Sequence, residues 1–434
     1  MTIELDEYKK KLISAEDAAK LVKSGDHVAF TFGREAQAVG LAIAARKEEL
    51  RNVHVYIPSV GRDYGWYDPG WEDSFSITMS YIVLPMARDM VRERRADFAL
   101  GLTSPMEGPE PPPIDILLTE VSPPDRHGYC SFGASLWDKK ERVRQAKLVI
   151  AEVNPRLIRT AGDNFIHISE IDYFVENREE AERKVDTSGG APPPVASAVA
   201  PHVASLLRDG DTIQIGAGTV TEWLPRVGLL DNLSDLGVHT EMTARGIVKL
   251  VREGAINGKR KTLHPGKVIA TAVGGARQDM EFIDGNPLFE VYSVHYVNNP
   301  AVIAQNDNMV AINGALAVDL TGQIAAESVG PYMYSGPGGQ LMFAMGAMLS
   351  KGGRYISVLP STAQNGAISR IVPQLEPGTI VTVPRVCADY VVTEYGVAKL
   401  RAKTVRERAL ALMEVAHPHF REELHKAARR LLWP

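Results

Sequence analysis

The sequence predicts an α/β protein in which one layered domain occurs twice in tandem. Two internal echoes carry that expectation. A helix, a Gly-Asp turn, a short apolar strand and a further glycine occupy Glu16–Gly33 and recur at Val195–Gly218, with Gly25 to Gly33 and Gly210 to Gly218 both eight residues apart. Asp172-Tyr173-Phe174-Val175, with Glu176 behind it, is answered by Asp389-Tyr390-Val391-Val392, with Glu394 close behind, in the same order. The length of 434 residues agrees, because a single hydrophobic core rarely grows past about 250–300 residues.

The elements follow in order. Ser14 stands as N-cap of a helix that carries Asp17 where a capping box has Glu, and Ala18, Leu21 and Val22 line its apolar face. Ser24-Gly25-Asp26 stops it, and His27–Phe32 reads as a strand closing at Gly33. An Ala-rich helix over 36–46 and a strand over Val53–Ile57 come next, and this alternation points to α/β layers. Ser104–Pro113 is too rich in proline for either element and reads as a surface loop. Ile114–Val121, Lys147–Glu152 and Ile171–Val175 read as strands, the first running into the turn Ser122–Gly128. Asp186–Ala196, with Gly-Gly and three prolines, reads as a semi-rigid connector, which sets the domains at residues 1–186 and 197–434. In the second half a helix over Val195–Arg208 leads to the strand Thr212–Ile215, two glycines and a segment that can be helical from Thr221. An apolar helix over Leu341–Leu349 follows Ser335–Gln340, and two amphipathic helices close the chain, one capped by Thr404 and Glu407, the other begun by Pro418.

Composition excludes several classes. A net charge of −5 argues against a general nucleic-acid or anionic-membrane binder, since both need a basic face. Cys130 and Cys387 form no disulfide framework and no CxxC pair, which fits a reducing compartment. No apolar run reaches about 18 residues and the first residues lack an apolar export region, so a cytoplasmic protein is expected. No His/Cys spacing resembles a metal site, and no GxSxG elbow appears.

Chemistry is sought where backbone donors meet a carboxylate. Strand, Gly216-x-Gly218 and a helix start form a geometry that aims N–H groups at an anion. The pair is no dinucleotide fingerprint, because Thr221 stands where the third small residue belongs, and a plain turn is the competing reading. Gly336, Gly338 and Gly339 open an apolar helix and leave bare amides at its positive end, although the Gly-Lys-Ser/Thr of a P-loop is missing. Glu241 lies among small and apolar neighbours, and a carboxylate can attack an acyl group to give an anhydride that stays activated. His239 reads as a hydrogen-bonded core residue, both cysteines as small buried hydrophobes, and Lys259-Arg260-Lys261 as a solvated loop.

Taken together these stretches resemble the acetyl-CoA hydrolase/transferase family over nearly the whole chain. The resemblance rests on Ser122–Cys130, Ile215–Gly218, His239–Met242, Asp319–Gln323, Gly336–Gln340, Leu359–Ala363, Asp389–Gly396 and Arg406–Ala409. It implies two tandem CoA-transferase-type (NagB/RpiA-like) α/β domains with the active site between them, and a homo-oligomer, dimeric or tetrameric. It implies that Glu241 becomes a glutamyl-CoA thioester in a ping-pong transfer of CoA between a short-chain acyl-CoA and a small carboxylic acid, with 4-hydroxybutyrate- or acetate-like substrates. Gly216, Ala217, Gly218, Thr219 and Val220 would meet CoA and the thioester oxygen. Gly336, Gly338 and Gly339 would form the glycine loop at CoA, with Asn313 nearby. CoA is then a substrate, with no permanent cofactor and no metal. Two departures bear on the acyl preference: Thr243-Ala244-Arg245-Gly246 replaces an aromatic-Ser-Asp-Gly run, and Met342 stands where an acidic residue is expected. Arg245 could pair with a second carboxylate on the substrate. The rival readings are an acyl-CoA hydrolase using the same glutamate, a CoA- or phosphosugar-sensing binding protein, and a citrate-lyase-like subunit.

Overall fold

The structure is a computed structural model that describes residues 3–33, 35–82, 85–100, 113–176 and 190–433. The chain divides into two compact units. The first holds Met1–Asp186 with Met280–His295 and Tyr334–Gly336, and the second holds Thr187–Asp279, Tyr296–Met333 and Pro337–Pro434. All but the exposed Pro113 of the proline-rich loop expected at Ser104–Pro113, and the start of the connector, lie outside the described residues. The third proline of that connector is already helical: Pro194 opens the helix Pro194–Ala204, where its missing N–H costs no hydrogen bond.

Seven parallel strands build the sheet of the first unit: β1 (His27–Phe30), β2 (Val53–Ser59), β3 (Phe75–Ile82), β4 (Ala96–Phe98), β5 (Ile116–Val121), β6 (Leu148–Val153) and β7 (Tyr173–Glu176). They lie in the order β7-β6-β5-β1-β2-β3-β4. Every residue of β5 is buried, as a strand covered on both faces requires. Phe30, Ile57, Trp66, Ile77, Leu118 and Ile150 belong to its core, each side chain of this size contributing about 1.5–3 kcal/mol on burial.

The second unit repeats the plan with β8 (Thr212–Ile215), β9 (Gly237–Met242), β10 (Val268–Ala272), β11 (Met309–Gly314), β12 (Arg354–Val358), β13 (Tyr390–Thr393) and β14 (Gly396–Lys399). Their order is β14-β13-β12-β11-β8-β9-β10, all parallel except the antiparallel β13–β14 pair. In each sheet the first strand is central, the next strands lie to one side, and the later ones lie to the other. The connection therefore reverses direction between β1 and β5, and between β8 and β11.

The sequence echoes have physical content. Asp26 Oδ2 accepts the Lys23 N–H at 2.8 Å, and Asp211 Oδ2 accepts the Arg208 N–H at 2.7 Å. Gly25 and Gly210 take φ of +86° and +79° in the same turn, a region open to glycine. Asp172 and Asp389 stand before the strands third from the centre and accept the N–H of Val149 and Tyr355, at 2.8 Å and 3.3 Å. The expectation of a duplicated α/β domain holds. Strands β10, β11 and β12 are not among the elements expected from the sequence, although Pro265-Gly266, Asn306-Asp307-Asn308 and Gly352-Gly353 stand just before them as turn signals.

Candidate active site

Three neighbouring strands of the second unit end together. Ile213 pairs with Val238 and Ile215 with Ile312, so continuing both registers brings Gly216, Glu241 and Asn313 to one level at the carboxyl ends of β8, β9 and β11. The β8–β9 ladder stops at Ile213↔Val238, before that level is reached. In an open α/β sheet this edge, next to the strand-order reversal, is where ligands bind.

Glu241 is partly buried at the end of β9. Asn298 Nδ2 donates to its Oε2 at 2.8 Å, and the Gly339 N–H donates to the same carboxylate. Gly339 is the N-cap of the helix Gln340–Leu349, so the carboxylate faces a positive helix end. Burial nevertheless dominates and pushes the Glu241 carboxyl up to about 7, against the lowering influence of the two donors. Close packing explains the glycines. A Cβ on Gly339 would overlap Glu241 Oε2 and stand 2.5 Å from Asn298 Nδ2, and one on Gly338 (φ +51°) would stand 3.6 Å from Glu241 Oε1.

His239 lies two residues before Glu241 on the same face of β9. Its Nε2 meets the Val297 carbonyl at 2.8 Å, one residue before Asn298, and burial pushes its pKa down to about 3. A neutral imidazole donating to that carbonyl fixes the segment that carries Asn298, in keeping with a core role.

The other expected residues fall into two groups. Gly216 packs on Asn313, whose side-chain amide exchanges two hydrogen bonds with Gln214, at 3.0 Å and 2.9 Å. Ala217 and Thr219 are exposed and Val220 is buried, and the segment after them is a 3-10 helix, Thr221–Val227, containing Pro225. Gly336 belongs to the first unit, where its N–H donates to the Tyr81 carbonyl at 2.6 Å and a Cβ on it would overlap the Ser80 carbonyl oxygen. The glycine run is thus divided: Gly338 and Gly339 touch Glu241, and Gly336 grips β3.

Three expectations need correction. Arg245 already pairs with Glu222 at 3.3 Å and covers the Trp223 ring at 4.6 Å, so its charge is compensated within the protein. Lys261 is not part of a solvated loop: Lys259 and Arg260 are exposed, but Lys261 is buried and donates to the carbonyls of Val238 and Lys267 at 2.8 Å and 2.9 Å. Cys130 is buried as expected, whereas Cys387 is only partly so. Met342 is buried in the face of its helix, as an apolar residue there should be. Asn298 had no sequence signal, since nothing local links it to a residue 57 positions earlier. Among the described residues no group of His, Cys, Asp and Glu could hold a metal ion, and no helix is long and apolar enough to cross a membrane.

Residues 3–182 match the acetyl-CoA hydrolase/transferase N-terminal domain, and residues 275–428 match its C-terminal domain. The chain is 43% identical over 430 residues to the 4-hydroxybutyrate coenzyme A transferase of Clostridium kluyveri, covering 96% of this chain and 97% of that one. It is 40% identical over 440 residues to the succinyl-CoA:cyclohexane-1-carboxylate CoA transferase of Geobacter metallireducens, covering 98% and 96%. The crystal structure of RipA from Yersinia pestis superposes with a TM-score of 0.88 at 32% identity, with 99% of each chain covered. The chain therefore belongs to the acetyl-CoA hydrolase/transferase family.

Proposed function

We propose that this CoA-transferase moves CoA between a short-chain acyl-CoA and a carboxylic acid through a glutamyl-CoA thioester on Glu241. The observation that carries the reading is the partly buried Glu241 carboxylate gripped by Asn298 Nδ2 and the Gly339 N–H. Ionised Glu241 attacks the thioester carbonyl, and the tetrahedral intermediate expels CoA thiolate and leaves an acyl-glutamyl anhydride. The thiolate then attacks the glutamyl carbonyl of that anhydride, releasing the free acid and forming glutamyl-CoA. In this second step negative charge develops on the carbonyl oxygen of the Glu241 side chain, and donors already held against that carboxylate, Asn298 Nδ2 and the Gly339 N–H, are placed to stabilise it. An incoming carboxylate reverses both steps. One thioester replaces another, so the exchange consumes no ATP.

Gly216–Val220 with Asn313 form the strand-end surface toward CoA in this reading, and Gly336–Gly339 form its glycine loop. Residues 1–186 and 197–434 act as the two CoA-transferase-like domains. The substrates are 4-hydroxybutyrate- or acetate-like acids, and the enzyme works as a cytoplasmic homo-oligomer. Transfer is favoured over hydrolysis because the relatives matched over their full length carry transferase names. The test is intact mass after incubation with acyl-CoA, followed by borohydride reduction and peptide mapping. A CoA-sized addition at Glu241 is expected. An unmodified Glu241, or CoA release that proceeds equally without an acceptor acid, would overturn the covalent transferase scheme.

A further inference from the structure

The glycine run beside Glu241 ends in a glutamine. Gln340 is the first residue of the helix Gln340–Leu349, directly behind the Gly339 N–H that donates to the Glu241 carboxylate. Its Nε2 donates twice, to the Gly314 carbonyl at 3.0 Å and to Tyr355 Oη at 2.9 Å. Gly314 closes β11, one residue beyond Asn313, and Tyr355 lies in β12. The phenol is fully buried and also accepts from Ser357 Oγ, two residues along the same strand, at 3.1 Å. One amide group thus uses both of its hydrogens to tie a helix start to two strands.

The tie matters because the segment before it is loose by composition. Gly336, Gly338 and Gly339 are three glycines in four residues, and Gly338 sits at φ +51°. Glycine gives up more backbone freedom on ordering than any other residue, so such a run holds a donor in place only when its end is fixed. A side chain on Gly339 cannot wedge it, because a Cβ there would overlap Glu241 Oε2 and crowd Asn298. The Phe343 N–H donates to the Gly339 carbonyl at 2.9 Å and orders that peptide on its own helix. Apolar packing of Met342, Phe343 and Ala347 lays the helix on β11 and β12 but is non-directional. The two bonds of Gln340 are directional and pin the first turn at the strand ends, in the sheet that carries Glu241 on β9.

We propose that Gln340 is a positioning residue: by bridging Gly314 and Tyr355 it holds the Gly339 N–H on the Glu241 carboxylate. Its effect on rate rests on the transferase reading above; the contact itself does not. Misplacing a preorganised group by about 1 Å can cost a hundredfold in rate. Loss of a donor to the ionised form also makes a carboxyl harder to ionise. Burial raises the Glu241 carboxyl, and Asn298 and the Gly339 N–H oppose it. The neighbouring titratable groups stay uncharged at neutral pH, since burial holds His239 down at about 3 and the Tyr355 phenol up at about 12.

The test compares the full-length wild type with Gln340→Ala, Tyr355→Phe and the double variant. Turnover should fall about ten- to thirtyfold in Gln340→Ala and about threefold in Tyr355→Phe, with KM for acyl-CoA changed by less than about twofold. The double variant should be no slower than Gln340→Ala, because the phenol acts through that amide. The Glu241 titration, followed by infrared difference spectroscopy with Glu241→Gln as the blank, should move upward by about half a pH unit or more in Gln340→Ala, and less in Tyr355→Phe. An unmoved titration in Gln340→Ala, or rate losses at 340 and 355 that simply multiply, would overturn the proposal. If Gln340→Ala fails to fold, an unmoved titration in Tyr355→Phe overturns it instead. A shifted titration in Gln340→Ala, with no CoA adduct on wild-type Glu241, would refute only the covalent scheme and leave the positioning role standing.

Discussion

The two sheets share a strand order but arm their reversal points with different groups. In the first unit the residues beyond β1 meet the buried ammonium of Lys139, with Thr31 and Thr119 exchanging a hydroxyl contact at 3.1 Å deeper between β1 and β5. In the second unit the level just beyond β8 holds a glycine, an asparagine locked to Gln214, and the partly buried carboxylate of Glu241. The shared topology supplies a crevice in both places. Chemistry enters only with the side chains at its rim, which is why one duplicated fold can carry the proposed nucleophile on one copy and a different set of buried groups on the other.

The largest effect should come from the carboxylate itself. Glu241→Gln is expected to lower kcat at least a thousandfold and to form no CoA adduct, measured by coupled assay and intact mass; near-wild-type turnover would erase the distinction between the two rims. Gly339→Ala forces a methyl group into Glu241 Oε2 and Asn298 Nδ2, and a loss of about a hundredfold in kcat with little change in thermal stability is expected. Asn298→Ala removes one of the two groups that lower the Glu241 pKa. Its rate should fall about a hundredfold, and the acid limb of its pH–rate profile should move upward; a limb that stays in place would show that Asn298 does not reach the reacting carboxylate.

The pH dependence follows from the same burial. In the proposed scheme Glu241 must be ionised to attack, so kcat/KM should rise with pH and level off above about 7. Stability runs the other way. A carboxyl whose folded pKa is raised from 4.5 to about 7 weakens the native state progressively as pH climbs from 4.5 through 7. Glu241→Gln should therefore be more stable than wild type at pH 8, by at most about 3 kcal/mol, and the gap should close below pH 4.5. Thermal melts at both pH values check this. The smallest effect is expected at Arg245: Arg245→Ala gives up a partly exposed pair with Glu222, costs less than about 1 kcal/mol, and leaves the preference between mono- and dicarboxylic acids unchanged in competition assays.

Much of this protein is legible in the chain alone because its signals are local. The capping pair Thr404–Glu407 forms both of its hydrogen bonds, Ser14 caps its helix through the Asp17 N–H, and β8 runs over Thr212–Ile215 as the alternation at Gly210–Gly216 suggests. Duplication is legible for the same reason, since each copy needs Gly-Asp before its central strand and Asp before a later one to satisfy particular backbone N–H groups. Glu241 was marked by its neighbours and by family resemblance. What the sequence could not supply were pairings across long separations. Asn298 reaches Glu241 only because β9 and the segment after Val297 are brought together, and the Gly336–Gly339 run parts its contacts between Ser80 and Glu241. The fates of Lys139 and Lys261 were equally hidden: both are lysines in polar sequence, and only folding decides that one finds two carbonyls while the other is enclosed beside Gly33 with none. Local hydrogen bonds are written in adjacent residues, whereas desolvation and its consequences for charge depend on what the rest of the chain places overhead.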